Sequence, residues 1–138
     1  MTTETEYTNS LVKFLSTGLL AGLVAAAVNI CYMYLYESMT GYTIDRYINF
    51  LNVAIASIVP GVFAGLLFFA SLKGSAKNGV NVFLVITIVT AVVSFLGPLN
   101  SHLPDGNPMP PEFAGLTVPM HILAPIVYIV MLLRALKK

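Results

Sequence analysis

Long stretches without a charged side chain dominate this sequence. Four of them contain no Asp, Glu, Lys or Arg, and they cover residues 14–36, 47–72, 78–104 and 113–133. A helix needs about 20 residues to cross a hydrocarbon layer about 30 Å thick, because it rises about 1.5 Å per residue. A helix also satisfies its own backbone hydrogen bonds, which lipid cannot do. The sequence therefore predicts an integral membrane protein.

The apolar stretches occupy nearly the whole chain. Of 138 residues, 57% are apolar and 9% are charged, whereas roughly a quarter are charged in a soluble domain. No segment remains that is long enough for a soluble catalytic domain. We predict an all-α fold, a single transmembrane domain covering residues 1–138. Its architecture is an antiparallel, up-down-up-down four-helix bundle, with spans at about 11–36, 50–72, 80–97 and 117–136.

Basic residues are distributed unequally between the two ends of these spans. An even number of spans places both termini on one side of the membrane. That side then holds Lys13, Lys73, Lys77, Arg134, Lys137 and Lys138, and the opposite side holds only Arg46. Basic residues beside short loops stay in the cytoplasm. This pattern predicts a multi-pass protein of the inner (plasma) membrane with both termini cytoplasmic.

The loop before the fourth span is rich in proline. Proline lacks an N–H and disfavours helix in the residue before it, so most of residues 98–110 is not helical. Pro111 followed by Glu112 is typical of a helix start, because the acid lies at the positive end of the helix dipole. Two continuations are open. One is a short interfacial helix that breaks near Pro119, and the other is a continuous but kinked fourth helix.

Two pairs of glycines are spaced four residues apart within the first two spans. Gly18 and Gly22 form one pair, and Gly61 and Gly65 form the other. This spacing puts both glycines on one helix face, where a neighbouring backbone can approach closely. The motif predicts helix packing, either within the chain or across a homodimer.

Polar residues recur at a similar depth in all four spans. We call them the polar layer, and they are Asn29, Ser57, Thr90, Ser94 and His121. An amide or imidazole without a partner costs several kcal/mol in hydrocarbon, so these groups are expected to face inward. Three interpretations are open: hydrogen bonds that hold the helices together, a pocket that binds a small molecule or passes a proton through His121, and metal or haem ligation by His121 with His102.

Recognisable catalytic patterns are missing from the sequence. The spans contain no Asp or Glu that could act as a base, and there is no nucleophile elbow, phosphate loop or zinc motif. The lone cysteine, Cys31, excludes an internal disulfide and is predicted to be a small buried apolar residue. The net charge of +1 gives no indication of a nucleic-acid partner. We therefore expect no enzymatic activity, no cofactor and no bound metal.

Several short features, taken in order, resemble a known family. They are the Gly-Leu-Leu-Ala-Gly-Leu run from Gly18 with Asn29 downstream, the Phe-Leu-Gly-Pro-Leu run from Phe95, and Met120-His121. Together they resemble a bacterial family of small four-span membrane proteins catalogued as a domain of unknown function, over about residues 11–133. The resemblance implies a four-helix integral membrane protein without an established activity or cofactor. The loop at 101–113 is longer and richer in proline than that family suggests.

Two functions are compatible with these observations. The first is a non-enzymatic bundle whose outer loops or glycine faces associate with a second copy or with another membrane protein in the lipid bilayer. The alternative is a transporter or binding protein that handles a small molecule or a proton, with its polar pocket in the outer half of the bundle.

Overall fold

The chain folds into a helical bundle. The computed structural model describes residues 2–42, 48–75, 77–100, 102–103 and 105–137, and it describes residues 2–9 through their backbone alone. These residues form four α-helices and no named strand. The helices are α1 (Thr2–Thr40), α2 (Phe50–Gly74), α3 (Gly79–Ser94) and α4 (Pro111–Leu136). The predicted all-α class is confirmed.

Three of the helices are long and apolar enough to cross a membrane. They comprise Ser10–Thr40, Phe50–Gly74 and Pro111–Leu136, and the chain is accordingly a membrane protein. The third helix has 16 residues, or about 24 Å of rise, and is therefore shorter than the predicted span at 80–97. It ends early because Pro98 disfavours helix at Gly97, and the backbone continues through hydrogen-bonded turns to Asn100.

The helix starts have local causes. Asn49 caps α2, since its Oδ1 accepts a hydrogen bond of 3.0 Å from the backbone N–H of Asn52. The predicted start of α4 is confirmed, with proline at its first position and Glu112 in its first turn. The helix then continues without a break through Pro119 and Pro125 to Leu136. The expectation of a separate interfacial helix is therefore wrong, and the continuous alternative is observed.

A tyrosine from α1 explains how α4 tolerates its first internal proline. Pro119 has no N–H, so the carbonyl of Gly115 lacks its usual helical donor. The Tyr32 hydroxyl donates to this carbonyl at 2.9 Å, and the Tyr36 hydroxyl donates to the Glu112 carbonyl at 3.0 Å. These two bonds attach the first turns of α4 to the end of α1.

The four glycines bring α1 and α2 into backbone contact. A methyl group built on Gly61 would lie 2.6 Å from the Cα of Gly22 and 2.7 Å from the carbonyl oxygen of Gly18. One built on Gly65 would collide with the carbonyl of Phe14. The two glycine faces therefore meet each other within one chain, and the helices run antiparallel.

Two hydrophobic clusters lie at opposite ends of the bundle. The first contains Phe14, Phe68, Phe83 and Leu132, with Phe68 edge-on to both other rings at centroid distances of 5.0 Å and 4.8 Å. Since Lys13, Lys73, Lys77 and Arg134 flank it in sequence, we call this the basic end. The second cluster contains Met33, Ile48, Val53, Leu116 and Met120, with Tyr32, Tyr36 and Tyr42 packed against it. We call this the tyrosine end. Arg46 and Lys138, which also entered the charge count, lie outside the described residues.

The third helix contacts α2 at the basic end. There, a methyl group on Gly79 would lie 2.5 Å from the Ser71 carbonyl oxygen and 2.8 Å from the Cα of Leu72. Just past the other end of α3, the Phe95 ring lies 6.5 Å from the His121 ring of α4. Between these contacts, residues of α2, α3 and α4 line a common cavity.

Cys31 differs from its expected environment. Its side chain is exposed on α1, so the prediction of a buried residue is wrong. In a membrane protein the exterior of a span faces lipid, where a small apolar side chain is equally favourable. Apolar character alone therefore did not distinguish the interior from the lipid face.

Candidate functional site

A hydrogen bond between α1 and α2 joins two members of the polar layer. Asn29 and Ser57 are 4% and 2% exposed. The Asn29 Nδ2 donates to the Ser57 Oγ at 3.2 Å and, more weakly, to the Met120 carbonyl of α4 at 3.5 Å. The Tyr128 hydroxyl, also from α4, donates to the Ser57 carbonyl at 2.6 Å. Three helices thus meet at this level.

The oxygen of the Asn29 side-chain amide has no hydrogen-bond partner. Because a carbonyl only accepts hydrogen bonds, the contact with Met120 identifies the donating nitrogen of the amide. The opposite atom, Oδ1, is buried and accepts no hydrogen bond, and the hydroxyl of Thr87 is likewise buried and unpaired. A buried polar atom without a partner costs about 1–3 kcal/mol. Asn29 and Thr87 therefore each carry a buried polar atom whose hydrogen-bonding capacity is unused.

Both unpaired residues line one cavity of about 840 Å³ between α2, α3 and α4. This volume falls within the range of small-molecule sites, roughly 300–1,000 Å³. All five members of the predicted polar layer line the same cavity: Asn29, Ser57, Thr90, Ser94 and His121. The remaining wall is largely apolar, with Val53, Phe63 and Leu67 among its members.

Four polar lining residues escaped the sequence analysis. They are Asn52, Thr87, Thr117 and Tyr128. The last three were detectable from helical spacing, because residues three, four or seven apart share a helix face. Thr87 precedes Thr90 by three positions, while Thr117 and Tyr128 lie four before and seven after His121. Tyr128 was missed because an aromatic ring in a span is equally typical of ordinary packing.

His121 is held in one tautomer by its own helix. Its Nδ1 lies 2.9 Å from the Thr117 carbonyl oxygen, and since that oxygen only accepts, Nδ1 carries the hydrogen. In the neutral ring Nε2 is then an acceptor. His121 and Asn29 do not bond to each other, since Asn29 donates to the Ser57 hydroxyl and His121 bonds to a backbone carbonyl.

Two prolines lie in the cavity wall. Pro60 removes the usual helical donor to the carbonyl of Ala56, and Pro125 removes the donor to the carbonyl of His121. Ala56, Pro60, His121 and Pro125 all line the cavity. Each proline thus removes a helical hydrogen bond from a residue of the cavity wall.

The described part of the cavity wall has no charged side chain. None of the described lining residues is Asp, Glu, Lys or Arg. Within the part of the chain that the structure describes, no group of three or more His, Cys, Asp and Glu side chains is arranged to hold a metal ion. The cavity as built suits an uncharged molecule.

A second, smaller cavity of about 390 Å³ adjoins the first at the tyrosine end. Its wall includes Asn100, His102 and Phe113, and it shares Thr117 and His121 with the larger cavity. The two histidines considered as metal ligands therefore line the same space. His121 stands at the boundary between the two cavities.

The four glycines lie outside both cavities. They fill the α1–α2 interface, and none of them is among the lining residues. Their close approach holds these two helices together, and Asn29 and Ser57 meet along the same interface. The glycines thus support the site indirectly.

Comparison with known proteins identifies one family. The model of the family described as "Family of unknown function (DUF6069)" matches residues 10–138. No curated protein matches the chain, and no solved structure matches it either.

Proposed function

The chain belongs to the DUF6069 family, and because that family has no known function, we propose one from the cavity: the protein binds a small, neutral, mostly apolar molecule within the membrane. One observation carries this proposal. The buried Oδ1 of Asn29 has no hydrogen-bond partner and belongs to a residue that lines a cavity of about 840 Å³.

The polarity of the wall supports a ligand with a hydrogen-bond donor. The unpaired Oδ1 of Asn29 and the carbonyls beside the two prolines are all acceptors. A hydroxyl or amide N–H on the ligand would satisfy them, whereas an anion would be repelled. An apolar body suits the rest of the wall.

The same residues support binding without chemistry. A proton-transfer catalyst needs a base or acid placed beside its substrate. His121 lines the cavity, but no carboxylate or lysine is present beside it among the described lining residues. We therefore propose a binding or carrier protein rather than an enzyme. The engagement of the glycine faces within one chain favours this function over self-association through those faces.

A cavity-filling substitution tests the proposal. Ala56→Phe places a ring in the larger cavity from α2 and is expected to reduce the amount of bound small molecule severalfold. The measurement is organic extraction of the detergent-purified protein followed by mass spectrometry, with ligand counted per protein chain. Ala27→Phe is the matched control, because Ala27 is exposed on α1 and does not line the cavity. Equal recovery from both variants, or no molecule recovered from the native chain, would contradict the proposal.

We also propose that all four helices cross the inner membrane and that both termini are cytoplasmic. Lys13, Lys73, Lys77 and Arg134 flank one end of the bundle, and basic flanks favour the cytoplasm. Reporter fusions at both termini are expected to report the cytoplasm, and a fusion within the loop at Gly106 is expected to report the opposite side. A terminus on each side of the membrane would show instead that α3 does not span.

A further inference from the structure

The larger cavity is elongated along α2. Its lining residues on this helix begin at Asn52 and end at Ala70, eighteen positions further on. At 1.5 Å per residue this corresponds to about 27 Å, close to the roughly 30 Å of the hydrocarbon core. The cavity is therefore long enough for an extended chain that is nearly parallel to the helices.

Polar and apolar lining residues are separated along this length. On α2 the polar members are Asn52 and Ser57, near the tyrosine end, and after Pro60 every lining residue is apolar. Those apolar members are Phe63, Ala64, Leu66, Leu67 and Ala70.

The lining residues of α3 and α4 show the same separation of polar and apolar side chains. On α4, Thr117 and His121 belong to the tyrosine end, and the Tyr128 hydroxyl reaches back to the carbonyl of Ser57. On α3 the polar lining residue nearest the basic end is Thr87, about two turns beyond Gly79. The part of the cavity beside Ala70, beyond Thr87, is thus apolar.

The cavity also opens sideways between helices. Phe63 and Leu66 line it and are 64% and 44% exposed, respectively. Thr90 on α3 is exposed as well and lines the same cavity. In a membrane this exposed side faces the acyl chains, so a molecule dissolved in the bilayer reaches the cavity without crossing water.

We propose that the ligand is a single-chain amphiphile with a neutral donor head group, such as an alcohol or amide, taken laterally from the bilayer. Its head lies at the level of Asn29, Ser57 and His121, where the Oδ1 of Asn29 is an unpaired acceptor. Its apolar chain follows α2 toward Ala70. This inference rests on the proposed function and adds the shape, orientation and entry route of the ligand.

Photoreactive analogues of hexadecanol test the orientation. One analogue carries a diazirine next to the hydroxyl and the other carries it at the methyl end. With the full chain in lipid nanodiscs, the first is expected to label residues 52–57 of α2 and the second residues 63–70, as mapped by proteolysis and mass spectrometry. Labelling at Leu19, Leu20 and Leu23, exposed on α1, measures the background from bulk lipid.

Competition experiments test the amphiphile separately from small-molecule binding in general. Excess unlabelled hexadecanol is expected to remove labelling of α2 and leave the α1 background unchanged. Hexadecane, which lacks the hydroxyl, and butanol, which lacks the long chain, are expected to compete at least several-fold more weakly. Butanol competing as well as hexadecanol would overturn the amphiphile and leave small-molecule binding intact. Hexadecane competing equally would overturn the role of the head group.

Two further results would contradict the binding of a ligand at this face. Labelling of α2 no greater than the α1 background, with no competition by any alcohol, would overturn both the amphiphile and the proposed function. Cross-linking of α2 or α3 to a second copy of the chain, in place of the probe, would show that a protein helix covers this face.

A variant at the apolar end provides an independent check. Ala70→Phe fills the end of the cavity far from the polar layer and is expected to abolish labelling by the methyl-end probe at residues 63–70. Background labelling at the exposed residues of α1 should be unchanged. Retained methyl-end labelling in Ala70→Phe would place the chain elsewhere and overturn the proposed orientation.

Discussion

Gly61→Ala is expected to destabilise the protein by about 1–3 kcal/mol or more, although it adds one methyl group. The new Cβ would lie 2.6 Å from the Cα of Gly22 and 2.7 Å from the carbonyl oxygen of Gly18. Both contacts are with backbone atoms, so no side chain can rotate away and the two helices must separate. The measurement is the free energy of unfolding in mixtures of mild detergent and dodecyl sulfate.

Gly74→Ala is the matched control on the same helix. No atom lies within 4 Å of a methyl group built there, and alanine is a better helix former than glycine by up to about 1 kcal/mol. Its effect is expected to be neutral or slightly stabilising. Similar destabilisation by both substitutions would show that the close approach of α1 and α2 is not what the glycines provide.

Asn29→Leu is expected to weaken ligand binding roughly five- to hundredfold while changing stability by less than about 1 kcal/mol. The ligand's donor loses its acceptor in apolar surroundings, and an unmade buried hydrogen bond costs about 1–3 kcal/mol. Folding loses the bonds to Ser57 and Met120 but also loses the unpaired Oδ1. Loss of the two hydrogen bonds lowers the free energy of unfolding, and removal of the unsatisfied buried oxygen raises it. The two effects therefore oppose each other.

The measurement compares retained ligand per chain with the free energy of unfolding for the same preparation. Asn81→Leu makes the same exchange at an exposed position of α3 that does not line the cavity, and it is expected to leave retention unchanged. A large loss of stability in Asn29→Leu with normal ligand retention would assign Asn29 to helix packing alone.

Much of the fold was predictable because hydropathy acts within each helix. The charge-free stretches predicted the helices, and Pro111 with Glu112 predicted where α4 begins. The length of α3 was overestimated, because apolar residues continue past Ser94 while Gly97 and Pro98 stop the helix. Whether α4 broke at Pro119 was left open, since its continuity depends in part on Tyr32, which lies 83 positions away from Gly115.

The polar half of the site was predictable for a similar reason. Counting residues from the end of each span places Asn29, Ser57 and His121 at comparable depth, and the structure puts all three on one cavity wall. Which atoms remain unpaired was not predictable. The Oδ1 of Asn29 is left without a donor because of where Ser57 and Met120 lie around it.

The sequence by itself determined that lipid surrounds the helices, that the fold is helical, where the glycine faces lie and how deep the polar residues are. Each of these follows from the order of residues along one helix. Only the tertiary structure decided that the two glycine faces meet within one chain and that residues of α2, α3 and α4 surround one cavity. The space between these helices forms the cavity and its apolar end. The physical origin of this cavity is the spacing of the helix axes. That spacing depends on all the contacts between the helices together, so the sequence of any one helix does not determine it.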